Sequence, residues 1–219
     1  QQVLYPKVYL AKQPAKSVDA MGGIISGKAI VSNTNADILN QGIMTADTIV
    51  LGANDVENTG RIDGRKVTIK ASQDVINTGN IHGEKQVNIN VGRDINVGAH
   101  VNRLQHHDIV GRQGTIGVGE KGDLVLSAKR DVNLKGAIVY TGDNSKATIE
   151  AGQNINLTTE ALSAKKDMTV NSENYNRTDR RTELGTAILS DSNVNLHAGN
   201  DVNIRNGIVN SEHGVTSVE

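Results

Sequence analysis

Apolar and polar residues alternate over short runs along this 219-residue chain, and the runs recur. The segments TIVLGANDVENTGRIDG, KVTIKASQDVINTGNIHG and QVNINVGRDINVG superpose with one-residue adjustments. Further copies read DLVLSAKRDVNLKGAIV, ATIEAGQNINL, MTVNSENYN and NVNLHAGNDVNIRNGIV. Each is an alternating strand, a small residue, a tight polar turn holding Asp or Asn, and a second alternating strand. Successive Cβ atoms of a strand point to opposite faces, so alternation says which side chains lie inside.

The inward series of the first strand is Ile49, Leu51, Ala53; Val67, Ile69, Ala71; Val87, Ile89, Val91; Leu124, Leu126, Ala128; Ala147, Ile149, Ala151; and Val194, Leu196, Ala198. In the second strand Ile95 and Val97, Val132 and Leu134, Ile155 and Leu157, and Val202 and Ile204 face in, with Asn96, Asn133, Asn156 and Asn203 between them. Met44, Ile62 and Ile81 mark a third short strand. Three strands joined by tight turns make one triangular coil of about 18–23 residues, and one residue type at one phase of every unit is what stacked coils require. An antiparallel sandwich also has regular short strands, but it needs no such phase.

The fold expected is therefore all-β, a parallel β-helix of about ten short coils with loop or hairpin excursions, on the order of 50 Å long at roughly 4.8 Å per coil. Asn40, Asn58 and Asn77 recur at one turn position, where each can hydrogen-bond its copy in the next coil. Residues 1–20, with both prolines (Pro6, Pro14) and Tyr5 and Tyr9, read as an extended lead-in along the first coils, and residues 21–219 as a single repeat domain. Two stretches break the pattern, near residues 100–122 and 172–192. They carry Arg103, His106, His107 and Arg112, then Arg177, Arg180 and Arg181. Excursions from a solenoid commonly make its contacts, so these seven residues are the candidate interaction loops.

Composition narrows the chemistry. With no Phe, no Trp and only four Tyr, the core must be narrow and aliphatic. Lys and Arg (23) almost balance Asp and Glu (24), so no global field draws in nucleic acid. The absence of Cys excludes disulfides, thiol catalysis and thiolate-bound zinc. His106, His107 and Asp108 are adjacent on an extended chain and point apart, so they read as solvated loop residues, not zinc ligands. Asp55, Asp74, Asp94, Asp131 and Asp201 fall singly at successive turns, outside the glycine-rich calcium repeat, and read as turn formers. The outward positions, mostly Asn, Thr and Lys, lack the clustered carboxylates of a polysaccharide-active β-helix enzyme. No catalytic residue, cofactor, metal or small-molecule substrate is expected.

The units LSAKRDVNLKGA, IEAGQNINLT and LHAGNDVNIRNG resemble the haemagglutinin repeat of filamentous haemagglutinins and of CdiA-type contact-dependent growth inhibition proteins. NTGRIDGRKVTIKA resembles their accompanying repeat. YPKVYL and RTELGTAILSDSNVNLHAGNDV resemble their late, carboxy-terminal block. The resemblance implies a right-handed helix, export through a partner outer-membrane β-barrel transporter, and display on a Gram-negative surface, with the late block held in the periplasm until target contact. It also implies a stalk or delivery role in growth inhibition or adhesion. Direct binding of a host or target-cell surface is the second reading, and a polysaccharide-active enzyme a distant third. The opening residues lack a signal-peptide pattern and GVTSVE stops in mid-repeat, which together lead to the expectation of a piece of a longer exported rod.

Overall fold

The computed structural model describes residues 17–20, 22–169 and 175–219; Pro6, Pro14, Tyr5, Tyr9 and most of the lead-in lie outside the described residues. Alternation produces the expected strands, and these stack in parallel as a β-helix. One face is built from Ser17–Ala20, Asp37–Asn40, Val56–Asn58, Val75–Asn77, the start of Ile95–Arg103, Val132–Lys135, Asn154–Thr158 and Asp201–Ile204, hydrogen-bonded in that order.

The long strands Ile24–Asn33, Ile43–Ala53, Arg61–Ala71 and Asn80–Val91 each turn a corner and supply the other two faces. From the fifth coil onward those faces are separate strands: Thr115–Val118 and Asp123–Ala128, Ile138–Thr141 and Lys146–Ala151, Ala187–Ser190 and Val194–Ala198, Ile208–Ser211 and Thr216–Val218. The corners between them are loops in which Lys121 and Asn144 take positive φ.

In-register pairing converts the sequence repeat into columns. Ile49, Val67, Val87, Leu124, Ala147 and Val194 stack in one; Leu51, Ile69, Ile89, Leu126, Ile149 and Leu196 in the next. Met44, Ile62, Ile81, Ile116, Val139 and Ile188 form a third. All are 2% exposed or less. Each large aliphatic so enclosed contributes about 1.5–3 kcal/mol of transfer free energy, which is how a core without Phe or Trp holds.

The buried Asn ladder forms at the first corner. Asn40 donates through Nδ2 to Asn58 Oδ1 at 2.7 Å, Asn58 to Asn77 Oδ1 at 2.7 Å, and Asn77 to the Thr115 carbonyl at 3.0 Å. The chain of donors runs one way, so Asn40 Oδ1, at its start, has no partner among the described residues. The turn behind the ladder leaves no room for a side chain, because a Cβ on Gly79 would overlap the carbonyl oxygen of Gly60 in the coil below. A second, outer ladder joins Asn96, Asn133, Asn156 and Asn203 through amide contacts of 2.8–3.0 Å.

Several boundaries differ from those the repeat predicted. Eight coils, not about ten, occupy the described residues, a stack of roughly 35 Å at 4.8 Å per coil. The breaks are also placed differently than their sequence implied, the first being shorter and the second longer. The first spans about residues 99–113 rather than 100–122, because Thr115–Val118 is back in the stack with Ile116 and Val118 buried. The second runs from Glu160 to Leu184 rather than 172–192, and Ala187–Ser190 has rejoined the helix. MTVNSENYN is therefore no coil: its described part lies in the second hairpin. The lead-in ends as a rung, since Ser17–Ala20 pairs with Asp37–Asn40. In the last coil Val202 is only partly buried and Ile204 is 48% exposed, because among the described residues no further coil lies over them.

Candidate functional site

Both excursions are antiparallel hairpins leaving the same corner, from the fifth and seventh coils. In the first, residues 99–103 of Ile95–Arg103 pair with Asp108–Gln113. In the second, Glu160–Thr169 pairs with Tyr175–Leu184 over ten residues. The two are joined to each other. His107 bridges Ala164, and the Lys165 N–H donates to the His106 carbonyl at 2.6 Å.

Charge closes this clasp. The Arg103 guanidinium contacts the Asp108 carboxylate at 2.6 Å, donates to the Ala161 carbonyl at 2.9 Å and pairs with Glu160. Lys135 of the sixth coil reaches Glu160 from the other side at 2.9 Å. Asp108 also accepts the Ser163 N–H at 2.8 Å, and this bond, with Arg103 behind it, holds its carboxyl below the usual carboxylate range. Asp108 and Glu160 are nearly enclosed, and burial of two carboxylates is tolerable only because both are paired.

Arg103→Ala removes the shared cation. Amide exchange should then quicken by roughly tenfold in residues 99–113 and 160–169 together, while 61–91 is unchanged. Loosening confined to the first hairpin would show that the two do not act as one unit.

A second charged column follows the turn before each first-face strand. Asp37, Asp55, Asp74, Asp94 and Asp131 each accept, through Oδ1, the backbone N–H of the matching turn residue one coil on, at 2.8–3.2 Å. Arg93 clamps Asp74 and Arg130 clamps Asp94, each with its Nε at 2.7 Å. Arg93, followed by the bond from the Asp94 N–H, keeps the Asp74 carboxyl depressed against a smaller opposing effect of burial. These aspartates are thus bolts between coils, more than the turn formers the sequence implies.

The repeated strand, Asp-bearing turn and strand of the later coils is the unit that decides the family. The hemagglutinin repeat model matches residues 110–219, half of the chain. The chain belongs to the haemagglutinin-repeat family. Such repeats are typical of filamentous haemagglutinin and CdiA-type exoproteins, which are secreted or surface-displayed, and are generally structural and non-catalytic. Neither a comparison with curated proteins nor one with solved structures gives a match.

Within this haemagglutinin-repeat segment the seven loop residues separate. Arg103, His106 and His107 come together in the clasp, the first by its side chain and the histidines by their backbone. Arg180 lies opposite Ala164, the residue that bridges His107, so it shares their neighbourhood. Arg181 pairs with Ser163 and points to the other side of the hairpin, Arg177 lies further out opposite Asp167, and Arg112 sits on the returning strand of the first hairpin; all three are exposed. Sequence reasoning missed Glu160, whose partner Arg103 is 57 residues away, and Lys135, which pairs with that same Glu160 from the sixth coil. Among the described residues no group of three or more His, Asp or Glu is placed to hold a metal ion.

The last coil is fastened by a titrating pair. His213 Nδ1 lies 2.7 Å from Asp191 Oδ1 in the coil before, and Asp191 also accepts the Asn144 N–H at 2.7 Å. Asp191 raises the His213 pKa, reinforced by Glu212 and Asp143, while the Asn144 bond and then His213 lower that of Asp191. A raised histidine stabilises fully below its unfolded value of about 6.5 and ceases to as pH rises through its folded value. A depressed aspartate stabilises above about 3.9 and ceases to as pH falls through its folded value. Amide protection of residues 208–218 should therefore peak at about pH 5–6 and decline on both sides. His213→Ala should abolish the alkaline decline, and its persistence there would assign that limb to another group.

Proposed function

We propose that this haemagglutinin-repeat segment is a stalk and delivery module of a two-partner-secretion exoprotein, working in contact-dependent growth inhibition or adhesion. The parent chain would be exported through its outer-membrane β-barrel transporter and displayed on a Gram-negative surface, with target-cell outer membrane as its eventual partner. The observation that carries this reading is the allocation of chemistry. Asp74, Asp94, Asp108 and Glu160 are all committed to fastening coils or hairpins. Parallel coils give length at low sequence cost, and the clasp ties the fifth and seventh coils across the sixth.

The second reading, direct adhesion, is favoured by the exposure of Arg112, Arg180 and Arg181. Joining Leu162 to Thr182, a cross-strand pair, through an Asn-Gly turn shortens the second hairpin without touching Glu160. In the parent exoprotein a stalk so altered should keep cell adhesion unchanged. Loss of adhesion with normal surface display would replace the stalk reading by the adhesin one.

A further inference from the structure

On the second face, one outward column runs Asp63, His82, Gly117, Tyr140, Leu189 through the third to seventh coils. Gly117 opens a gap in it. A Cβ there would overlap the Tyr140 ring, about equally close to Cζ and both Cε atoms. An edge-on ring would leave the two Cε atoms clearly further away than Cζ, so the ring lies face-down on the glycine backbone. Its other face is turned outward. His82 extends the surface, with its ring 15° from parallel and 6.3 Å away centre to centre, and Leu189, 42% exposed, continues it on the far side.

Polar groups line one edge of this apolar strip. Asp63 accepts from Arg61 Nε at 3.1 Å and lies 3.1 Å from His82 Nδ1. Asn80, the register neighbour of Arg61, donates to Thr115 Oγ1 at 2.8 Å. Arg61 remains 58% exposed. Covering Gly117 alone would require only an apolar side chain; it would not require a ring bordered by an exposed guanidinium and a partly exposed carboxylate. A flat ring that accepts C–H groups, beside donors and acceptors that can bracket neighbouring hydroxyls, is the complement of a pyranose. Because Arg61 and Asp63 neutralise each other, the fringe favours a sugar without charge.

We propose that this face carries a binding site for a neutral hexopyranose, with Tyr140 as the stacking platform and Arg61, Asp63 and Asn80 as the hydroxyl-reading edge. The site is independent of the stalk reading and of the hairpin clasp.

The test is saturation-transfer NMR of the intact 219-residue chain with methyl glycosides of glucose, galactose and glucuronic acid. The neutral glycosides should receive transfer at their ring C–H protons, shift the Tyr140 and His82 ring signals, and bind with Kd on the order of millimolar. Tyr140→Leu keeps an apolar cover over Gly117 and should abolish transfer while the melting curve still shows one folded chain. Arg61→Ala should weaken binding at least tenfold, and Arg112→Ala should leave it alone. No transfer to neutral glycosides, preference for the glucuronide, or transfer unchanged in Tyr140→Leu would each overturn the proposal.

Discussion

Asn58→Asp should cost about 3–5 kcal/mol at neutral pH, although the two side chains are nearly identical in shape. Asn58 is 0% exposed and sits mid-ladder, accepting from Asn40 and donating to Asn77 Oδ1 and to the Asn80 carbonyl at 3.1 Å. A carboxylate there cannot donate, so it faces two acceptors at hydrogen-bond range in a dry corner. Protonation restores one donor. Burial raises the folded pKa of the new acid, so the deficit is small below its unfolded value of about 3.9 and grows as pH rises through the folded value. Paired melting curves at about pH 4 and pH 7 check both magnitude and sign. A deficit that does not change with pH would mean that the introduced carboxylate is solvated, and the ladder with it.

Ile89→Ala should cost about 2–5 kcal/mol, whereas Ile204→Ala should cost under about 1 kcal/mol. Both are aliphatic residues at inward phase. Ile89 is 0% exposed, with Ile69 on one side and Leu126 on the other. Ile204 has Leu157 on one side and solvent on the other, and is 48% exposed. Coils contact only their neighbours, so truncation in the interior leaves a cavity bounded by two coils, while the terminal site simply hydrates. Equal losses in urea unfolding would contradict nearest-neighbour stacking.

The alternation over residues 48–97 made the strands, their inward faces and the Asn ladder legible, because those coils are regular enough for one side-chain period to set the register. The first coil was not legible. In IISGKAIVSN, Gly27 and Lys28 interrupt the alternation, and its aliphatics are only partly covered. The segment GTIGVG reads as a continuation of the first break. Its alternating Ile116 and Val118 are flanked by glycines, which the stack needs: Gly114 and Gly119 have no room for a Cβ beneath neighbouring carbonyls.

The clasp was the least legible element. Its defining pairs lie 55–58 residues apart, and no local pattern announces that Arg103 belongs with Glu160. The same holds for Arg93 and Arg130, where an arginine directly before the turn aspartate is the signal, but its partner is the aspartate of the coil before. The Tyr140 platform depended on register as well, since only the stacking of the fourth, fifth and sixth coils places His82, Gly117 and Tyr140 in one column.

In-register parallel stacking is tested most directly by cross-linking, since the native chain has no cysteine to interfere. Thr68, Asn88 and Val125 occupy one outward column on three successive coils. Double cysteine variants at 68 and 88, and at 88 and 125, should close to a disulfide on mild oxidation, because adjacent rungs place Cα atoms near 5 Å apart. The pair at 68 and 125, two rungs apart at roughly 10 Å, should stay reduced. Efficient closure of 68 with 125, or failure of both adjacent pairs, would contradict the stacked parallel helix.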